Sequence, residues 1–240
     1  MLKIRSIIAL AALGTLVFST AAFALTTGKK RKSAFTVRIE NIASADGLAT
    51  EGGAKYPFAL SPGFFAATES KGDFFKAGKK ATPSLEAQAE DGDPEMLAKM
   101  VIDRGSVGSY GVFKTPVGAG MPAPILPGGA YEFKFTAVED MSLNFIAMYG
   151  QSNDLFYAPA MPIALFDSTG NPLSGDITAE FQLWDAGTEV NEAPGIGTDQ
   201  APRQKMKNAG AAENGVVALV KDSFMYPNVT DVLRVTVTAN

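Results

Sequence analysis

The sequence predicts an all-β protein, an antiparallel β-sandwich of about eight strands with one or two short helices inserted. Three observations support this fold class. Apolar and polar residues alternate with a period of two in several segments, as expected for strands with one buried face. Clusters of Gly, Pro, Asn, Asp and Ser separate these segments. A single stretch with helical start signals interrupts the succession of strands.

The first strand is expected at Phe35, because Phe35, Val37 and Ile39 alternate with polar residues. Segment 130–138 shows the same alternation, whereas 143–149 is mostly apolar, as expected for an inner strand. The remaining expected strands are 58–67, 163–166, 177–184, 216–220 and 232–238.

The helical stretch follows the first strands. Thr82-Pro83 places a capping residue before a proline at the first helical position, and Asp93-Pro94 repeats the pattern. The segment after the helices is rich in Gly and Pro, which is typical of a long irregular connection. The predicted elements are a helix at about 83–90, a break at Gly92, a second helix at about 94–102 and an irregular connection over 105–129.

The first residues have the composition of an export signal. Lys3 and Arg5 precede an apolar segment, 7–18, that is too short to span a bilayer comfortably, and Ala22-Phe23-Ala24 fits a cleavage site. The product is therefore expected to be secreted or periplasmic, with no integral membrane segment after cleavage. The predicted organisation is a signal peptide at 1–24, a flexible basic tail at 25–34 and one sandwich domain at 35–240.

Composition excludes several functions. The chain has no histidine and no cysteine, which excludes Ser-His-Asp and Cys-His nucleophile systems and the usual zinc and copper sites. The formal net charge is −4, and the signal carries two positive and no negative residues, so the mature chain carries −6. This acidic balance argues against nucleic acid as the main partner. Carboxylate-only catalysis, as in glycoside hydrolysis, remains open.

Two acidic turns are the candidate functional feature. Asp185 and Glu189 flank an Ala-Gly-Thr turn beside Trp184, the only tryptophan, and Asp154 ends the polar turn 151–154 after an apolar strand. Three carboxylates on two loops suit a hard oxygen-ligand cation such as calcium. The alternative is that both are ordinary solvated turns. Trp184 is expected to be a core residue rather than a ligand-stacking one.

Short sequence words occur in an order that resembles the spondin domain family, over roughly 35–238. The most specific word is Trp-Asp-Ala-Gly-Thr-Glu at 184–189, which resembles the family's P-W-D-A-G-T-D. Ser-Asn-Asp-Leu-Phe at 152–156 resembles S-P-D-W-F. The segment 75–92 is close to the family's G-x-x-A-S-x-G-L-x-x-L-A-E-x-G.

This resemblance implies a C2-like antiparallel β-sandwich with a calcium ion at one end, and matrix or adhesion roles in the animal members. Carried over by motif, the calcium carboxylates are Asp154, Asp185 and Glu189. The sequence departs from the family pattern at Asn153, Leu155 and Glu189, where proline, tryptophan and aspartate are usual. The cysteines and companion modules of the animal members are absent, so their partners do not transfer.

The sequence thus predicts an exported, non-catalytic, calcium-binding β-sandwich module that acts in extracellular or cell-surface binding or adhesion. Its partner is expected to be a protein or a glycan at the calcium-loop end. Two alternatives stay open. One is a calcium-supported carbohydrate-binding module, which an exposed aromatic at Phe156 or Tyr157 would favour. The other, with less support, is a carboxylate-dependent glycosidase.

Overall fold

The computed structural model describes residues 30–69, 74–105 and 108–240. In these ranges short antiparallel strands form two main sheets and are accompanied by short helices, which confirms the predicted all-β sandwich. In chain order the strands and helices are β1 (Lys32–Asn41), β2 (Leu48–Ala49), β3 (Lys55–Tyr56), β4 (Leu60–Thr68), α1 (Pro83–Asp91), α2 (Glu95–Asp103), β5 (Gly108–Phe113), β6 (Ala130–Val138), β7 (Ser142–Tyr149), β8 (Leu155–Pro159), β9 (Ile163–Ala164), β10 (Gly175–Asp176), β11 (Phe181–Asp185), β12 (Ala218–Leu219), α3 (Val229–Val232) and β13 (Leu233–Ala239).

The two main sheets differ in width. The first has the strand order β10-β13-β1-β6. The second has the order β12-β11-β8-β7-β4-β5, and β9 also pairs with β7. Strands β2 and β3 form a separate two-stranded ribbon. Neighbours in the second sheet therefore include β8 and β11, and this pairing positions the site described below.

The core lies between the two sheets and is rich in aromatic rings. The alternation predicted for β1 places Phe35, Val37 and Ile39 inside, where all three are fully buried. The Phe65 ring of β4 stacks on the Phe133 ring of β6 with centroids 4.2 Å apart. Apolar burial stabilises by about 25 cal/mol per Å², so these rings hold the two sheets against each other.

Helices α1 and α2 cover the outer face of the second sheet. Leu85 and Ala89 of α1 and Leu97 of α2 belong to a second apolar cluster with Ile146 of β7 and Phe156 of β8. Strand β7 is therefore buried on both faces, which explains its mostly apolar sequence.

The ends of the helices follow the sequence closely. Thr82 Oγ1 accepts a hydrogen bond from Leu85 N at 3.3 Å, and Gly92 ends α1 in the left-handed conformation with φ 63°. Helix α2 begins one residue later than predicted, at Glu95, and Asp93 Oδ1 accepts from Glu95 N at 3.2 Å.

Strand β5 corrects the prediction of an irregular connection over 105–129. It runs from Gly108 to Phe113 and pairs with β4. Gly111 pairs with Phe65, and a Cβ at Gly111 would lie 3.0 Å from the Phe65 ring. The close approach of this ring favours glycine, and glycines weaken the alternation that would have indicated a strand.

The N-terminal boundary of the sandwich also differs from the prediction. Strand β1 begins at Lys32, so the end of the tail predicted over 25–34 belongs to a sheet. Lys30 Nζ lies 2.6 Å from Glu69 Oε1 and 3.3 Å from Asp140 Oδ2, and these acids hold the basic run at the sheet end. The predicted signal peptide at 1–24 lies outside the described residues. Among the helices that are described, none is long and apolar enough to cross a membrane.

Candidate metal centre

Two strand ends bring Asp154 and Asp185 together. Asp154 immediately precedes β8, and Asp185 is the last residue of β11. The two strands are antiparallel neighbours in which Asp185 pairs with Leu155, and Ala186 N donates to the Asp154 carbonyl at 3.2 Å. The start of one strand and the end of the other meet at the same edge of the sheet. Both acids predicted from the sequence therefore lie at one site.

Glu213 is a third acid at this site, and the sequence alone did not indicate it. Asp154, Asp185 and Glu213 each offer one carboxylate oxygen, and these oxygens all lie within 4.8 Å of one another. Glu213 lies on a loop that returns to the acidic turn, where Gly215 N donates to Gly187 O at 2.7 Å. An acidic residue beside Asn and Gly was the only local signal, and it does not reveal where a long loop returns.

Glu189, the third acid of the motif-based assignment, does not belong to this group of described acids. Its buried carboxylate accepts from Gly210 N at 2.8 Å. The backbone explains the difference. Thr188 N and Glu189 N both donate to Asp154 Oδ2, at 2.7 and 3.1 Å. The turn therefore faces Asp154 with its backbone amides, whereas the Glu189 carboxylate binds Gly210 N.

Asp154 is completely buried and only one of its oxygens is satisfied. Oδ2 accepts from Thr188 N, Thr188 Oγ1 and Glu189 N. Oδ1 has no hydrogen-bond partner in the described part of the chain. Burial, reinforced by the charge of Asp185, raises the pKa of Asp154 to about 7. A buried carboxylate oxygen without a partner is costly, and a cation is a partner that would satisfy it.

Asp185 and Glu213 complete a donor set made only of oxygen. Asp185 accepts from Gly187 N at 2.6 Å and from Asn191 Nδ2 at 2.7 Å, and these bonds fix its orientation. Burial raises the pKa of Asp185, and burial together with the Asp185 charge raises the pKa of Glu213. Carboxylates that hinder each other's ionisation fit a hard divalent cation, which removes the repulsion.

A fourth acid, Glu90, faces the acidic turn from α1. It is 3% exposed, and Oε1 has no hydrogen-bond partner among the residues described. Burial is the main reason that the pKa of Glu90 is raised to about 7, and the nearby charges of Glu189 and Asp154 add to it. In the sequence Glu90 is an ordinary polar residue near a helix end and gives no signal.

The aromatic residues next to the acidic turns are core residues. Trp184 is 8% exposed, and its Nε1 donates to Ala158 O at 3.3 Å, which agrees with the predicted core position. The Phe75 ring meets Trp184 with centroids 5.0 Å apart. Phe156 and Tyr157 are fully buried, so neither provides the exposed aromatic that would favour a carbohydrate-binding module.

No protein-family model matches the chain, and no curated protein sequence matches it either. The fold and the site therefore define its class. It is an antiparallel β-sandwich with three carboxylate side chains at one sheet edge. These three acids, Asp154, Asp185 and Glu213, form the carboxylate group of the site and could bind a metal ion.

Proposed function

We propose that the protein is an exported, non-catalytic β-sandwich module that binds calcium through Asp154, Asp185 and Glu213. The observation that carries this proposal is the fully buried Asp154 carboxylate, whose Oδ1 has no partner among the described residues and which lies beside two further acids. A divalent cation would satisfy that oxygen and offset the repulsion between the three carboxylates. The resemblance of 184–189 to the spondin word supports the same ion.

The donor chemistry favours calcium over other metals. The sequence has no histidine or cysteine, the ligands that zinc and copper prefer. Calcium accepts about six to eight oxygen ligands in a flexible geometry, whereas magnesium demands a near-ideal octahedron. The three carboxylates come from separate segments of the chain, and the loops that carry them can add carbonyl oxygens and water.

The main effect of the calcium ion would be to order the loops at this end of the sandwich. Asp185 ends a strand, whereas Glu213 lies on the returning loop, and their like charges oppose the backbone bond from Gly215 N to Gly187 O that joins the two arms. Calcium would turn this repulsion into attraction and fix the loops at this end of the sandwich. We propose that the ordered loops form a surface for a protein or glycan partner outside the cytoplasm, as the signal-like N-terminus suggests.

A carboxylate-dependent glycosidase is the alternative with different chemistry. Such an enzyme needs an acid and a base about 5–10 Å apart on either side of a sugar. Here the oxygens offered by Asp154, Asp185 and Glu213 lie within 4.8 Å of one another, and Asp154 is completely buried. This arrangement favours a shared cation over two separated catalytic groups.

Calorimetric titration with calcium tests the proposed function. Protein stripped of metal by a chelator should bind one calcium ion. Asp185→Asn should weaken this binding at least about tenfold, because affinity depends on the number of charged ligands. The matched control is Asp46→Asn, which neutralises an exposed aspartate and should bind calcium as the wild type does. A wild-type protein verified to be metal-free that takes up no calcium would refute the proposal.

A further inference from the structure

A surface cavity of about 430 Å³ opens directly beside the carboxylate group. Asp185 and Glu213 form part of its wall, and the apolar part of the lining includes Val216, Leu219 and Phe224. Its volume falls in the range of small-molecule sites, about 300–1,000 Å³. The cavity and the carboxylate group therefore share two residues.

The two sides of the carboxylate group differ in their access to solvent. Asp154 is completely buried, whereas Glu213 is exposed and Asp185 is half-buried. A cation held by these acids would be covered by protein at Asp154 and open toward the cavity at Glu213. Ligand oxygens that enter the cavity could then join its coordination shell, because calcium readily accepts additional oxygen donors.

The net charge around the cavity favours a ligand with neutral oxygen donors. Four acids belong to the carboxylate group or line the cavity, namely the three of the carboxylate group and Asp222, and Lys221 is a base in the same wall. A divalent cation and this lysine leave one net negative charge. An anionic ligand would meet repulsion, whereas hydroxyl groups can ligate calcium without adding charge.

The apolar wall of the cavity suits the apolar face of a sugar ring. Val216 and Leu219 are 45% and 42% exposed, so both present apolar surface at the cavity. Phe224 adds an aromatic ring to the same wall. Aliphatic and aromatic side chains beside a few polar groups are typical of small-ligand sites. The C–H face of a sugar ring has the matching apolar character.

We propose that this cavity binds a neutral sugar whose adjacent hydroxyl groups ligate the cation at Asp185 and Glu213, while its apolar face packs on Leu219 and Phe224. This inference rests on the proposed function, because it requires the cation. It names the ligand class of the same site and places recognition on the 216–224 segment, away from the buried Phe156 and Tyr157.

Saturation-transfer NMR with methyl α-mannoside, methyl α-glucoside and methyl α-galactoside at millimolar concentration tests the inference. At least one glycoside should bind in saturating calcium and lose binding in EDTA. Leu219→Ser should weaken that binding roughly fivefold to tenfold while calcium affinity, measured by calorimetry, stays unchanged. Leu126→Ser is the matched control, because Leu126 is 51% exposed and lies outside the cavity. If Leu219→Ser does not fold, Val216→Ser provides the same comparison.

The outcomes separate this inference from the proposed function. Calcium binding without binding of any glycoside would overturn the sugar site and leave the calcium module standing. Glycoside binding that persists in EDTA would overturn the role of the cation. Calcium-dependent binding of acetate or of an aspartate-containing peptide in place of the glycosides would overturn the neutral ligand class. Failure of the wild type to bind calcium would overturn both proposals.

Discussion

Thr188 binds Asp154 through both its backbone and its side chain. Thr188 N donates to Asp154 Oδ2 at 2.7 Å, and Thr188 Oγ1 donates to the same oxygen at 3.0 Å. A hydroxyl has a single hydrogen to donate. The Thr188 hydroxyl therefore serves Asp154, and Oε1 of the buried Glu90 has no hydrogen-bond partner among the described residues. Burial of Glu90, together with the charges of Glu189 and Asp154, favours a retained proton on Glu90 and raises its pKa.

Metal-free protein should be more stable at pH 5 than at pH 8. The pKa values of Glu90 and Asp154 are both raised to about 7, from ordinary values of 4.5 and 3.8. As the pH falls through 7, the folded protein takes up protons that the unfolded chain does not yet bind, so stability rises; above pH 7 that stability is lost. Thermal unfolding in EDTA at both pH values checks this. An equal or higher melting temperature at pH 8 would contradict it.

Glu90→Gln should remove much of this pH dependence. The amide has a similar shape and carries no charge to bury. The shift in the pKa of Glu90 corresponds to roughly 3 kcal/mol at most, so unfolding at pH 8 should require up to about that much more free energy. Glu51→Gln changes an exposed glutamate and is the matched control. If the Glu90→Gln protein were less stable than the wild type at pH 8, the ionised Glu90 side chain would not destabilise the folded protein.

Exchanging single acids should distinguish the two possible third ligands. Glu213→Gln should weaken calcium binding about tenfold or more, because it removes one charge from the carboxylate group. Glu189→Gln should leave calcium affinity nearly unchanged, since glutamine can still accept from Gly210 N. Calorimetric titration of both variants makes the comparison. The reverse order of effects would restore Glu189 as the ligand and remove Glu213.

Gly187→Ala should destabilise the protein by about 2–4 kcal/mol and weaken calcium binding. Gly187 has φ 69°, and a Cβ there would lie 2.6 Å from Val216 N, so the returning loop that carries Glu213 would have to move. Gly118→Ala is the control, because φ is 81° but nothing lies within 4 Å of its Cβ. It should cost only about 1 kcal/mol, from the positive φ. Equal losses in chemical denaturation would mean that the contact with Val216 is unimportant.

Local patterns predicted much of the fold. The alternation at Phe35, Val37 and Ile39 identified β1, and Thr82 and Gly92 identified the ends of α1, because each feature depends on nearby residues. The pattern failed where packing replaced side chains with glycine, as at Gly111 beneath Phe65. It also failed at Lys32, because pairing with β6, in which Lys32 lies opposite Val138, extends β1 beyond the alternating residues.

The candidate site was predictable only in part, for a related reason. Asp154 and Asp185 adjoin two strands, and the pairing of those strands brings them together. Glu213 depends on the path of a long loop whose return is fixed by backbone hydrogen bonds such as Gly215 N to Gly187 O. Glu189 flanks the same turn and lies in the same short word as Asp185, but its carboxylate accepts from Gly210 N while its own amide donates to Asp154.

A crystal structure of the protein in saturating calcium would show directly whether Asp154, Asp185 and Glu213 hold the ion. We expect one ion with oxygen ligands from Asp154, Asp185 and Glu213 at about 2.3–2.6 Å, identified by its anomalous signal. Glu189 should keep its bond to Gly210 N and stay out of the coordination shell. Crystals grown in saturating calcium with no ion between these three carboxylates, or with an ion ligated by Glu189 and not by Glu213, would refute the proposed calcium site.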